Sequence, residues 1–151
     1  MLSDLPDTGP VSGAFSVVER VFERAPRTVV VAADDDQLRE RLRDELSRDG
    51  YRVIEAEEGA EVLDYYALNG VNGHRFPAPD LVVAEVRMSG IDGVTLLGHL
   101  RGKGVTTPFI LLAPKNDPAA YELADTLDAE FVFEEPVSCD ELCEAVASLV
   151  G

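Results

Sequence analysis

Carboxylate side chains follow three of the apolar runs in this sequence. Asp34 and Asp35 come directly after the first run, Glu85 lies near the end of another, and Glu135 follows a third. Carboxylates that lie close together repel one another and raise each other's pKa unless a cation is bound among them. Two interpretations are open if the fold brings these groups together: a divalent cation site, or a solvated acidic rim. The rim needs no ligand, and the sequence favours it.

Other residue types that could do chemistry do not form a catalytic pattern. Cys139 and Cys143 lie four residues apart, and small buried side chains explain them better than a redox pair does. His74 and His99 have no Cys or His at metal-ligand spacing. The sequence contains no glycine-rich phosphate loop and no supported Ser–His–Asp arrangement. We therefore expect no enzymatic activity.

The elements that must position the carboxylates are five strands alternating with helices. Strands are predicted at 28–33, 51–56, 80–86, 108–113 and 131–133. A segment with helical spacing follows each strand, and Leu38, Leu42 and Leu46 form such a stripe after the first. This alternation predicts an α/β fold with a doubly wound, five-stranded parallel sheet and helices on both faces. The flavodoxin-like strand order 2-1-3-4-5 suits it and places a crevice at the carboxyl ends of the first and third strands.

The chain divides into a short lead at 1–26 and a single domain at 27–151. The lead begins with a segment rich in Pro, Gly, Ser and Asp, which is typical of a flexible terminus. A short amphipathic helix is predicted over 15–24, where Phe15, Val18 and Phe22 share helical spacing before Pro26. This helix packs either on its own domain or on a partner.

Composition and charge limit the classes of function. The 151 residues contain 29 Asp and Glu against 13 Lys and Arg, a net charge of −16. Direct nucleic-acid binding needs a basic surface, and so does binding to an anionic membrane, so we expect neither. Such an acidic surface is typical of a protein that works in high salt, as in a halophile. Two cysteines and no membrane-length apolar run favour a reducing cytoplasm.

Several segments carry a resemblance to a known family. They are VVVAADDDQLRERL (29–42), PDLVVAEVRMSGIDG (79–93), TPFILLAP (107–114) and DAEFVFEEPVSCDEL (128–142). Over about 27–150 the chain resembles the receiver domains of two-component response regulators. The second segment is the most specific, because it keeps the family's Pro-Asp-Leu, apolar run and Gly-x-Asp-Gly-like turn.

The resemblance also shows where this chain departs from the family pattern. The phosphoacceptor aspartate corresponds to Glu85, and the acidic pair after the first strand corresponds to Ala33 and Asp34. The Thr or Ser of the fourth strand corresponds to Ala113, and the conserved lysine corresponds to Glu135. Two further changes replace the proline of the turn with Ser89 and the switch aromatic with Val132.

These departures weigh against phosphorylation. Phosphoryl transfer needs donors and cations placed at the phosphoryl oxygens, but Ala113 cannot donate a hydrogen bond and Glu135 adds a negative charge. Glu85 is one methylene longer than aspartate, which displaces the acceptor oxygen. We expect no cofactor. The alternative is Mg²⁺ held by Asp34, Glu85 and the backbone carbonyl of Arg87.

The sequence therefore predicts a stand-alone, pseudo-receiver signalling module that has lost aspartyl phosphorylation and acts by protein–protein binding. The partner would be a kinase, a transcription regulator or a second copy of the chain, so the protein is a monomer or a homodimer. The resemblance places the partner face on the last third of the chain, with Tyr121, Val132 and Phe133. Core packing is the competing expectation for Phe131 and Phe133. Two alternatives stay open: a phosphotransfer receiver using Glu85 with Mg²⁺, and a flavodoxin-like ligand-binding domain.

Overall fold

A computed structural model describes residues 26–68 and 78–151. The lead predicted at 1–26, with its helix at 15–24, lies outside the described residues except for Pro26. His74 also lies outside them. In the part of the chain that is described, no helix is long and apolar enough to cross a membrane.

A five-stranded parallel sheet forms the centre of the domain. Its strands are β1 (Thr28–Ala32), β2 (Arg52–Ala56), β3 (Leu81–Glu85), β4 (Phe109–Ala113) and β5 (Phe131–Glu134). The spatial order is β2-β1-β3-β4-β5, which confirms the predicted doubly wound, flavodoxin-like order. Strands β1, β3 and β4 are buried along their whole length, as continuous apolar runs in a parallel sheet require.

In the described residues, four helices connect these strands and a fifth follows β5. They are α1 (Asp36–Arg48), α2 (Gly59–Leu68), α3 (Gly93–Gly102), α4 (Pro118–Thr126) and α5 (Cys139–Val150). Side chains cap four of them at the N-terminus: Asp35, Asp92, Asp117 and Ser138 each accept hydrogen bonds from first-turn amides. These caps determine where each loop ends and hence which side chains remain at the edge of the sheet.

The core has two layers because successive strand residues face opposite sides of the sheet. Val82 and Ala84 of β3 face a cluster formed with α2, α3 and α4, and Leu81 and Val83 face a cluster formed with α1 and α5. Glu85 continues the second series. Its side chain therefore leaves the sheet on the side of α1 and α5.

Candidate functional site

The carboxyl ends of β1, β3, β4 and β5 lie along one edge of the sheet, and Glu85 occupies the middle of that edge. Glu85 is only 7% exposed. Glu85 is therefore not part of a solvated acidic rim, whereas Asp34 and Asp35 are exposed, as that expectation requires. A buried carboxylate must be matched by hydrogen-bond donors or by a proton, and both are present here.

Backbone amides supply the donors. The Oε1 atom of Glu85 accepts a hydrogen bond from the amide of Asp34 at 2.8 Å and a longer one from the amide of Asp35 at 3.4 Å. Both amides belong to the loop that leads into α1. They stabilise negative charge on Glu85 and hold its carboxylate inward, against the end of β1.

The side chains of the two aspartates have different roles. Asp35 caps α1, because its Oδ1 accepts from the amides of Gln37 at 2.9 Å and Leu38 at 3.2 Å. The carboxylate of Asp34 is exposed and accepts from the hydroxyl of Ser89 at 3.3 Å. The predicted cluster is therefore formed by the backbone of this pair more than by its carboxylates.

Glu135 completes the cluster next to Glu85. Its amide donates to the carbonyl of Ala113 at 2.8 Å, which brings the residue before the cis peptide of Pro136 to the end of β4. The pKa of Glu135 is raised to about 7, mainly by burial, and also by its hydrogen bond to Glu85, by repulsion from Glu85 and by the charge of Asp35. Near neutral pH Glu135 therefore still binds a proton in a large fraction of the molecules.

Two further positions that correspond to the family's phosphorylation site are occupied by buried alanines. Ala33 and Ala113 are each fully buried, and neither offers a side-chain donor to the edge of the sheet. The carbonyl of Ala33 accepts from Nη1 of Arg39 at 2.7 Å. This buried guanidinium also contacts Asp36 and Glu55 and thereby holds the loop whose amides face Glu85.

The sequence analysis missed Arg39, although a signal was present. Arg39 lies three and seven residues before Leu42 and Leu46, so it shares the buried face of α1 with them. An arginine on an apolar helical stripe needs buried partners. Here those partners are a strand-end carbonyl and two carboxylates.

Arg87 and Lys115, two basic residues close to the cluster in sequence, do not neutralise its negative charge. The side chains of Arg87 and Lys115 are exposed, and within the described ranges neither forms an ion pair at 4.0 Å or less. Lys115 lines a cavity of about 610 Å³ together with Asp35, Arg41 and Glu135. The cavity lining combines charges of both signs with apolar residues such as Leu38 and Val137.

The residues present do not fit a magnesium site in this arrangement. Mg²⁺ needs free oxygen ligands in near-octahedral geometry. The Oε1 atom of Glu85 already accepts from two amides, and the carboxylate of Asp34 accepts from the hydroxyl of Ser89. Among the residues that the structure describes, no three His, Cys, Asp or Glu side chains are placed to share a metal ion.

The predicted partner face is exposed at some positions and packed at others. Tyr121 on α4 is 39% exposed. Val132 and Phe133 are half-buried, each against one of the two core clusters. Core packing was expected for Phe131 and Phe133 with at most one of them facing out, and Phe131 is the one that does: it is 37% exposed and stacks on Phe133 with ring centroids 5.9 Å apart. Phe131 is therefore the exposed aromatic residue of β5.

Comparison with known proteins matches this fold and strand-end geometry. A profile of the response regulator receiver domain covers residues 29–147. The response regulator MprA of Mycobacterium sp. strain KMS is 30% identical over 125 residues, which are 83% of this chain and 51% of that protein. MprA of Mycobacterium tuberculosis strain H37Rv is 30% identical over 122 residues. The chain thus spans about half the length of the curated relatives it matches.

Solved structures of other proteins have the same fold. A receiver domain of the Francisella response regulator 1452 superposes with a TM-score of 0.72 at 25% identity, covering 82% of this chain and 95% of that one. A putative response regulator from Chloroflexus aurantiacus gives a TM-score of 0.71 at 28% identity, covering 83% and 98%. The sheet order and these matches converge: the chain belongs to the response regulator receiver domain family, as a receiver-type signalling module.

Proposed function

We propose that this receiver domain has lost aspartyl phosphorylation and acts by binding a protein partner in the cytoplasm. The observation that carries the proposal is the Glu85–Glu135 pair. At the position where the family resemblance expects an aspartate beside a lysine, two carboxyl groups lie together, and the pKa of Glu135 is raised to about 7.

The charges around Glu85 and the inward orientation of its side chain both disfavour a phosphoryl group here. A phosphoryl group brings additional negative charge, which cations and hydrogen-bond donors must neutralise. Within the described residues, Glu135 offers a negative charge or a proton in place of a lysine, and Ala113 offers no hydroxyl. Glu85 also faces inward, against the amides of Asp34 and Asp35, which both donate to its Oε1 atom.

The surface around β5 supports protein binding. Tyr121 and Phe131 expose aromatic area on α4 and β5, and exposed aromatic residues are enriched in protein interfaces. A net charge of −16 disfavours nucleic acid as the direct target. The partner is a histidine kinase, a transcription regulator or a second copy of this chain, and the acidic surface suits work in high salt.

The test is to add beryllofluoride with Mg²⁺ and follow amide NMR shifts along the chain. We expect no shifts centred on Asp34, Glu85 and Ala113 in the natural sequence. The control variant restores the family's residue types with Ala33→Asp, Glu85→Asp, Ala113→Thr and Glu135→Lys. Shifts in the control alone would support the proposal and show that the assay reports binding.

Specific shifts at these positions in the natural sequence would overturn the proposal. That result would establish the phosphotransfer alternative, with Glu85 as the acceptor. The search would then turn to a cognate kinase.

A further inference from the structure

A second apolar surface lies at the opposite edge of the sheet from β5. Strand β2 is an edge strand, and a groove of about 310 Å³ opens between it and α2. Val30 and Ile54 form the sheet side of the groove, and Tyr65 and Leu68 form the helix side. Leu68 is 49% exposed, so the described residues leave about half of this large aliphatic side chain in contact with solvent.

The chain enters the sheet next to this groove. Thr28, the first residue of β1, pairs with Arg52 of β2, and Val30 pairs with Ile54 two residues further on. Two residues of strand span about 7 Å. The three residues 25–27 can span about 10 Å when extended, so a segment that ends at residue 24 can reach the groove directly.

The segment before that link has a matching apolar face. At 100° per residue, one arc of a helix over 15–24 holds the residues Phe15, Val17, Val18, Val21 and Phe22. Arg20 and Arg24 border that arc on one side, and Glu19 and Glu23 border it on the other. On the groove side, Glu61 and Asp64 are exposed on α2 and line the same cavity. The apolar face thus matches the apolar groove, and the arginines match its acidic border.

We propose that residues 15–24 of the same chain occupy the groove between β2 and α2, with Phe22 seated against Ile54 and Leu68. Docking buries the exposed leucine and covers an edge strand, which removes a site for unwanted strand pairing. It also keeps this surface from other proteins and leaves the face around Tyr121 and Phe131 for partners. The occupant is this chain's own segment and not a second copy.

Tryptophan fluorescence tests the proposal, because the chain contains no tryptophan. Phe22→Trp in the full chain places a single reporter in the segment. We expect its emission maximum to lie at a shorter wavelength than that of free tryptophan in water, since the ring is buried in the groove. Adding Leu68→Asp should move the maximum to the solvent-exposed wavelength, and the milder Leu68→Ser should give a partial shift.

Leu123→Asp is the matched control. Leu123 on α4 is also 49% exposed but lies away from the groove, so we expect it to leave the emission unchanged. Circular dichroism and thermal unfolding of each variant establish that the domain is folded.

Three results would overturn the proposal. Solvent-exposed emission in Phe22→Trp alone would mean that the segment does not dock. An emission maximum typical of a buried ring that neither Leu68 substitution shifts would mean that the segment docks elsewhere. Emission that shifts with protein concentration would assign the docking to a second copy.

Discussion

At the scale of single residues, the exchange of two side-chain types changes what the pocket binds. An aspartate beside a lysine would form an ion pair, whereas Glu85 beside Glu135 forms a carboxyl pair that binds a proton near neutral pH. Two backbone amides donate to Oε1 of Glu85, and the raised pKa belongs to Glu135. A proton on Glu135 thereby reduces the negative charge of this site, at the position where the family resemblance expects a lysine.

This pair predicts a specific dependence of stability on pH. The pKa of Glu135 is raised in the folded state, from an ordinary value of 4.5 to about 7. Its contribution to the free energy of unfolding is therefore fully present below about pH 4.5 and is lost as the pH rises through about 7. We expect Glu135→Gln, which stays neutral, to be more stable than the natural protein above that range by roughly 1 kcal/mol after solvent screening.

Chemical denaturation across this pH range measures the effect. Glu144→Gln on α5 is the charge-matched control, since Glu144 is exposed and lies outside the pocket, and it should keep the natural pH dependence. An identical pH profile for Glu135→Gln and the natural protein would contradict protonation of Glu135 near neutral pH.

At the scale of elements, the pocket depends on how closely helices begin next to strand ends. The amide of Gly93, the first residue of α3, donates to the carbonyl of Val86 at 2.9 Å. A Cβ atom at Gly93 would lie 2.4 Å from the backbone carbonyl oxygen of Glu85. Only glycine permits this approach, and it places the start of α3 directly against the end of β3.

We therefore expect Gly93→Ala to reduce the free energy of unfolding by about 1–3 kcal/mol, because the backbone of β3 or α3 must move to relieve the clash. Gly98→Ala on the same helix is the control. Its Cβ would make an ordinary contact at 3.8 Å with Leu127, so it should gain up to about 1 kcal/mol from helix propensity. Urea unfolding of both variants separates the two effects, and equal stabilities would refute the close-approach argument.

At the scale of the whole molecule, the excess of acidic residues opposes the compact state. A net charge of −16 on 151 residues produces self-repulsion that salt screens, since the Debye length falls from about 8 Å at 0.15 M to about 3 Å at 1 M. All seven ion pairs in the described ranges involve carboxylates that are about a third or more exposed, so each contributes little. Salt should therefore stabilise the folded state by screening repulsion more than it destabilises that state by weakening ion pairs.

The melting temperature is expected to rise by several degrees between 0.15 and 1 M KCl, because screening removes repulsion that the unfolded chain feels less. Differential scanning calorimetry measures it. A variant with Glu40, Glu122 and Glu144 changed to lysine starts with less repulsion and should show a smaller rise. A rise of equal size in both proteins would point to general salting-out instead of charge screening.

Local sequence patterns were sufficient for the elements and their order. Continuous apolar runs predicted the buried strands, and helical stripes such as Leu42 and Leu46 predicted the packed helix faces; the predicted strand bounds differ from the observed ones by one or two residues at most. Strand alternation also brought Asp34, Glu85 and Glu135 to one edge of the sheet. These features follow from short-range periodicity, which the chain carries along its own length.

What only the tertiary structure decided concerns groups far apart in sequence. The contact between Asp34 and Glu85 joins residues 51 positions apart, and the burial of Glu85 depends on such contacts. Hydrogen-bond geometry and the local dielectric set the protonation of Glu135, and neither can be read from residue types. The sequence by itself therefore determined which groups meet, whereas packing decided that they meet as a buried proton-binding pair.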